Sequence, residues 1–195
     1  MHTTAEIRWF WEGECPGDLH AWLEGTGYPA TEPEARTDSY LLTGSETGSV
    51  KLREGKLEAK LLLSSIILPA HLAGLGCAAA WNKWSGPEIA QTDGITHIDE
   101  QWLQVMKKRR VATYLPGRMA YGKPNPGEPV CEVETGIVSL NGLRFTSLCM
   151  ECHAPLQHEA DVLTESLNQL VSNKIPPFLT EFHSFSYPAW LATQV

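Results

Sequence analysis

The sequence predicts an α+β fold, in which antiparallel strands with one charged and one apolar face are flanked by helices. Charged residues recur at positions i and i+2 in several separate segments, and side chains alternate between the two faces of a strand. The dipeptides Glu54-Gly55 and Asn141-Gly142 predict turns between such strands. Apolar residues recur at helical spacing over 156–171, which predicts a helix packed on the outside of the sheet.

The hairpin predicted over residues 50–61 separates charged from apolar side chains most clearly. Lys51 and Arg53 share one face of its first strand, and Glu58 and Lys60 share one face of its second strand. Two cations beside a Lys–Glu pair are typical of an anion site, for which phosphate is the commonest ligand. The alternative interpretation is an ordinary antiparallel hairpin with one solvated face.

The pattern of charged residues at i and i+2 recurs in three further segments: Glu6 and Arg8, the cations 107–110, and Glu132 and Glu134. The register of the four consecutive cations is open, because either the odd-numbered or the even-numbered pair can face the charged side. We favour Lys107 and Arg109. If these strands surround one cavity, its wall holds cations that suit phosphates and carboxylates that suit Mg²⁺ or Mn²⁺.

Taken in order, these segments resemble the CYTH superfamily of triphosphate tunnel proteins, which includes thiamine triphosphatases, class IV adenylyl cyclases and inorganic triphosphatases. The order and spacing of short matches over nearly the whole chain carry the resemblance. The matches are Glu6, Asp38-Ser39-Tyr40, Lys51-Leu52-Arg53-Glu54, Leu57-Glu58-Ala59-Lys60, the cations 107–110, Glu132-Val133-Glu134, Met150-Glu151 and 186–191. The resemblance implies an antiparallel eight-stranded β-tunnel that binds a triphosphate inside it.

The resemblance also implies which residues bind the ligand. The phosphate ligands carried over by position are Lys51, Arg53, Lys60, Lys107 and Arg109, and Arg8 adds a further cation. The residues implied as ligands of Mg²⁺ or Mn²⁺, or as partners that orient the lysines, are Glu6, Glu132, Glu134 and Glu151. On this interpretation the protein is a metal-dependent hydrolase of an inorganic or organic triphosphate, in which metal and cations stabilise the developing charge. No catalytic residue is identified.

The first strand departs from the family pattern Glu-x-Glu-x-Lys. Arg8 stands where the family has its second glutamate, and Phe10 stands where it has its lysine. A cation in place of a metal ligand repels a divalent ion by on the order of several kcal/mol. This departure motivates the alternative that the protein binds a phosphorylated or polyphosphate ligand without hydrolysing it.

Length, charge and hydropathy limit the remaining function classes. The chain suits a single domain over residues 1–195, and its formal net charge of −8 disfavours nucleic acid and anionic membranes as partners. Pro69 and Gly74 interrupt the apolar stretch 61–81, which therefore predicts a buried strand end followed by a loop or a short helix instead of a membrane helix. The N-terminus has no signal-peptide features, which predicts a cytoplasmic protein. A homodimer is compatible with a closed β domain, although no segment marks an interface.

Three smaller features complete the predictions. Segment 149–153 matches a haem-attachment pattern, but its two cysteines would point to opposite faces of a strand, so we interpret the match as chance. The five cysteines are expected to be reduced thiols. His153 shares a strand face with Glu151 and is a candidate acid or base at the tunnel mouth. Asp38 is expected to fix the start of a strand.

Overall fold

The computed structural model describes residues 2–14, 19–88, 102–155, 158–171 and 175–194. In these ranges the chain forms nine strands and three α-helices. The strands are β1 (His2–Glu12), β2 (Glu34–Leu41), β3 (Gly48–Arg53), β4 (Lys56–Ile66), β5 (Ala78–Glu88), β6 (Trp102–Leu115), β7 (Ala120–Tyr121), β8 (Val130–Leu140) and β9 (Leu143–His153). The helices are α1 (Leu19–Gly25), α2 (Glu159–Val171) and α3 (Tyr187–Ala192).

The strands form one antiparallel sheet that closes on itself. Their order is β2-β3-β4-β5-β1-β9-β8-β6, and the short strand β7 pairs with the end of β6. Strand β2 also pairs with β6, with Tyr40 opposite Leu103, so eight strands form a closed barrel. Side chains alternate between the two faces along each strand, so every second side chain points into the barrel. The predicted α+β class with an eight-stranded β-tunnel is confirmed.

Two tight turns set the register of the hairpins. Glu54 and Gly55 have φ angles of 48° and 76°, and Asn141 and Gly142 have φ angles of 49° and 79°. Positive φ at both central residues is the geometry of a type I′ turn, which matches the twist of antiparallel strands. The turn at Glu54 pairs β3 with β4 so that Lys51, like Glu58 opposite it, points into the barrel. Both predicted turns are confirmed.

The larger hydrophobic core lies outside the barrel wall. The outward side chains of β1, β8 and β9 pack against α1 and α2, with Trp9, Val133, Met150 and Leu163 almost fully buried. Helix α2 contacts β1, β8 and β9, which confirms the helix predicted on the outside of the sheet. Residues 156 and 157 of that prediction lie outside the described residues. This packing leaves the barrel interior free for other side chains.

A second apolar cluster, here called the end plug, fills one end of the barrel interior. Its members are Phe10, Tyr40, Leu103, Val105, Val138, Leu140, Phe145, Tyr187, Trp190 and Leu191. Helix α3 supplies the last three and begins after Ser186, whose hydroxyl accepts a hydrogen bond from the backbone N–H of Ala189 at 3.2 Å. The rings of Phe10 and Trp190 stack with centroids 4.2 Å apart. Phe10 is therefore a packing residue.

The apolar stretch 61–81 folds differently from the prediction at its start. Leu61 is 61% exposed and Leu63 is 51% exposed, so the prediction of a buried strand end was wrong. The reason is that α2 packs on β1, β8 and β9, which lie elsewhere on the barrel. The predicted loop follows β4 and contains a short 3-10 turn before β5. Among the described helices, none has the length and apolar character needed to cross a membrane.

Candidate anion-binding site

The interior of the barrel holds a cavity of about 320 Å³. This volume lies at the lower end of the range of about 300–1,000 Å³ that is usual for small-molecule sites. Every strand of the closed barrel contributes to the wall. All of the residues that the sequence predicted for the site line it: Glu6, Arg8, Lys51, Arg53, Lys60, Lys107, Arg109, Glu132, Glu134 and Glu151.

The cavity wall is positively charged although the protein is acidic. Eight Lys or Arg residues and five Glu residues line the cavity, and the buried Asp38 behind the wall brings the carboxylates to six. The formal charge around the cavity is therefore +2, against −8 for the whole chain. Low-dielectric walls focus such a field, which attracts anions into the cavity.

Asp38 organises the largest group of cations, here called the Asp38 cluster: Arg36, Lys51, Arg53 and Lys107. Its carboxylate lies 2.9 Å from Nζ of Lys107 and accepts a hydrogen bond from Nε of Arg53 at 3.0 Å. Burial opposes ionisation, but the four cations hold the pKa of Asp38 well below its usual range. Asp38 lies within β2, so the prediction that it fixes a strand start was wrong. Glu58 also pairs with Lys51 and Arg53, so two carboxylates face four cations and the cluster keeps an excess of positive charge.

Two tyrosines hold Lys107 beside the end plug. Its Nζ donates a hydrogen bond to the hydroxyl of Tyr40 at 2.9 Å and lies 4.0 Å from the ring centroid of Tyr187. The two tyrosine rings stack with centroids 5.1 Å apart. Burial lowers the pKa of Lys107 well below its ordinary value, although Asp38 opposes this shift. Lys107 is thus a fixed and incompletely neutralised cation deep in the cavity.

Glu134 holds the second group of cations. Nη1 of Arg8 donates to Oε1 of Glu134 at 2.9 Å, and Nη1 of Arg109 donates to Oε2 at 2.7 Å. Burial opposes ionisation, but Arg8 and the other cations around it hold the pKa of Glu134 far below its usual range. Gly136 allows β6 to approach β8 here, since a Cβ at this position would lie 2.4 Å from the carbonyl oxygen of Lys108. The glycine therefore helps to position Arg109.

Glu6 and Glu151 are the partners of the remaining interior lysines. Lys60 pairs with Glu6 and Lys83 pairs with Glu151. Burial opposes ionisation of Glu151, but Lys83 and the other neighbouring cations lower its pKa to about 2. Nε2 of His153 lies 3.4 Å from Oε1 of Glu151, on the face that the sequence predicted. These carboxylates orient the lysines.

The predicted metal ligands do not form a metal site of their own. Glu6, Glu151 and Glu132 are neighbours across β1, β9 and β8. Within the described ranges, however, no three His, Cys, Asp or Glu side chains are placed to hold an ion. Glu6, Glu134 and Glu151 are instead ion-paired with lysines and arginines. The carboxylates therefore do not fit a divalent cation that is held by the protein alone.

The structure shows which face of its strand each of the cations 107–109 and the two cysteines of 149–153 occupies. Lys107 and Arg109 line the cavity, whereas Lys108 is exposed, so the favoured register is the observed one. Cys149 lines the cavity and Cys152 belongs to the outer core, which confirms that they point to opposite faces. The four cysteines in the described part of the chain are free thiols.

Sequence reasoning missed Arg36, Lys83 and Tyr187, which also line the cavity. Arg36 was detectable, because it alternates with Asp38 and Tyr40 along β2 in the pattern used for the other strands. Lys83 lies between aromatic and polar neighbours and has no charged residue two positions away on its strand. No local signal therefore marked its inward direction.

Comparison of the chain with protein-family models and with curated proteins gave no match.

Anion binding is expected to weaken as the pH rises through 8. Burial lowers the pKa of Lys51 from 10.5 to about 8, and a bound anion favours its protonated form. We expect the affinity for tripolyphosphate to fall about tenfold between pH 7 and pH 9, since one pKa unit corresponds to a factor of ten. Titration calorimetry across this range measures the change, with Lys51→Arg as a control that keeps its charge. A parallel fall in both proteins would contradict this role of Lys51.

Lys51 affects the stability of the ligand-free protein in the opposite direction, because its contribution increases with pH whereas anion affinity decreases. Lys51 has a lower pKa in the folded state than in the unfolded chain, so the unfolded chain binds more protons between about pH 8 and pH 10.5. The contribution of Lys51 to the free energy of unfolding therefore rises with pH in this window. Its buried charge costs stability at neutral pH.

Proposed function

We propose that this protein is a CYTH-like tunnel protein that binds a linear triphosphate or polyphosphate inside its barrel. The observation that supports this proposal best is the cavity wall, which carries eight cations and a net positive charge in an acidic chain. Arg and Lys form strong, charge-assisted hydrogen bonds with phosphate oxygens. A ligand with several adjacent phosphates can contact both the Asp38 cluster and the arginines beside Glu134.

The lowered pKa values of three buried lysines support the proposal that the ligand is negatively charged. Burial lowers the pKa of Lys51, Lys60 and Lys107 although each has a carboxylate nearby. Lys107 is 7% exposed, so water contributes little to its solvation. The desolvation of these charges is incompletely compensated within the protein. An anion in the cavity would supply the missing compensation and would stabilise the fold by mass action.

Binding of tripolyphosphate to the full chain tests the proposal. We expect Lys51→Met to weaken the affinity about tenfold or more, because a hydrogen bond to a charged group contributes about 1.5–3 kcal/mol. Lys108→Met is the matched control, because Lys108 is exposed on the outer face of the barrel. Calorimetry and the shift of the melting temperature provide two readouts. Absence of binding, or equal losses in the two variants, would overturn the proposal.

Hydrolysis of the bound triphosphate is the second candidate function. Two observations favour it: Glu132 is an exposed carboxylate of the cavity wall that forms no ion pair with another described residue, and the pKa of Lys51 is about 8. A lysine with such a pKa suits proton transfer near neutral pH, and a carboxylate without an ion pair is free to contact a water or a metal ion brought by the ligand. The assay is phosphate release from tripolyphosphate, ATP and thiamine triphosphate, with Mg²⁺, Mn²⁺ or EDTA and with Glu132→Gln as the variant. Binding without release would reject hydrolysis and leave the binding function.

A further inference from the structure

We infer that the cavity binds its anion without a divalent cation, because Arg8 and Arg109 occupy the position beside Glu134 that a metal ion would need. The inference rests on the proposed function and specifies the form of the ligand as a free polyphosphate anion. It also assigns Arg8 as the residue that determines this preference.

Arg8 is held as a fixed charge at this position. Its side chain is 10% exposed, and Nη1 donates to Glu134 at 2.9 Å. Its guanidinium carbon lies 5.3 Å from the ring centroid of Tyr187 and 5.9 Å from that of Phe10. Burial opposes the charge, but the surrounding acidic groups raise the pKa of Arg8 well above its ordinary value. A divalent ion at Glu134 would have to displace this guanidinium or lie beside it.

Three arginines of the cavity wall each have a buried donor without a hydrogen-bond partner. Nε of Arg8, Nε of Arg36 and Nε of Arg109 are buried and have no hydrogen-bond partner among the described residues. All three side chains line the cavity. Buried N–H groups without a partner are costly, and phosphate oxygens are strong acceptors for guanidinium donors. The Nε atoms themselves are not accessible from the cavity, but the guanidinium groups that line it suit an anion and cannot bind a metal ion.

Besides Glu58, three carboxylates of the cavity wall are already neutralised, which leaves Glu132 as a single carboxylate without an ion pair among the described residues. Glu6 is paired with Lys60, Glu151 with Lys83, and Glu134 with two arginines. The excess formal charge of the cavity is positive, so the cavity attracts a polyanion. Because Arg8 and Arg109 already occupy both oxygens of Glu134, Mg²⁺ gains no free ligand there, and Mg²⁺ that binds tripolyphosphate in solution is expected to compete with the protein.

Titration of the full chain with tripolyphosphate in EDTA and in excess Mg²⁺ tests the inference. We expect binding in EDTA, and binding that is equal or weaker in Mg²⁺. Affinity that requires Mg²⁺, or is tenfold tighter with it, would overturn the inference and leave the proposed function intact. Absence of binding under both conditions would overturn the proposed function itself. The two failures are thus distinguishable.

Variants of Arg8 connect the result to the residue. We expect Arg8→Gln to weaken binding in EDTA about tenfold or more, and Arg8→Lys to retain most of it because the charge is kept. Arg8→Glu is expected to bind tripolyphosphate only in Mg²⁺. Arg144→Gln is the control, since Arg144 is exposed on β9. Thermal unfolding verifies that each variant is folded, and equal affinities of Arg8→Gln and the wild-type protein in EDTA would overturn the assignment.

Discussion

Asp38→Asn is expected to lower the free energy of unfolding by about 3–5 kcal/mol, because it removes the carboxylate partner of Lys107 and Arg36, whereas Lys51 and Arg53 keep Glu58. Asp38 is fully buried and lies within 4 Å of a charged nitrogen of each member of the Asp38 cluster. Asparagine keeps the shape of the side chain but supplies no charge to these cations. Urea denaturation measures the loss, with Glu46→Gln as the control because Glu46 is exposed. Equal stability of the two variants would contradict the role of Asp38.

The same substitution is expected to tighten the binding of tripolyphosphate. Removing one negative charge from the cluster increases the attraction for an anion, and at an effective dielectric constant of about 20 such a change amounts to a few kcal/mol at most. We expect an increase in affinity of about tenfold by calorimetry. Addition of tripolyphosphate is then expected to raise the melting temperature of the variant more than that of the wild-type protein. Weaker binding by the variant would indicate that Asp38 acts mainly by positioning the cations.

Trp190→Ala is expected to destabilise the protein by about 3–5 kcal/mol, the usual cost of truncating a buried aromatic residue. Trp190 is 3% exposed and lies between Phe10, with centroids 4.2 Å apart, and Phe145, with centroids 5.1 Å apart. The truncation would remove the centre of the end plug and admit water to that end of the barrel. Phe182→Ala is the control, because Phe182 is 80% exposed in the same C-terminal segment.

Urea denaturation distinguishes the two aromatic variants. A loss of less than about 0.5 kcal/mol is expected for Phe182→Ala, as for most surface substitutions. Similar losses for both would show that α3 contributes little to the closed end of the barrel. A loss of anion affinity in Trp190→Ala would further connect the plug to the cavity through Tyr187, which contacts both.

Much of the site was predictable because strand alternation fixes the direction of side chains without any knowledge of the fold. The turn after Arg53 and the alternation of side chains along the strand are enough to place Lys51 and Arg53 on the same, inward face. The cations 107–110 were harder, because four consecutive charges fit either register. The tertiary structure decides this register, since Val105 on the same face packs in the end plug.

The pairing of charges was not predictable from the sequence. Alternation places Arg8 and Glu134 on inward faces, but their contact joins residues 126 positions apart and depends on the order of the strands. The centre of the Asp38 cluster was missed for a related reason. A single aspartate in a strand gives no local sign that cations from three strands converge on it.

The pairing of β2 with β6 closes the barrel between two strands that carry cations. The two strands pair antiparallel, residue by residue, from Glu34 opposite Arg109 to Leu41 opposite Trp102, although a long stretch of chain separates them in the sequence. The entropy of closing such a loop depends only weakly on its length, but non-local pairing slows folding. This pairing also places Lys107 beside Asp38, the partner of Lys51, so the backbone pairing of the two strands brings like charges together. Free anions in the surrounding solution would screen that repulsion and favour the closed barrel.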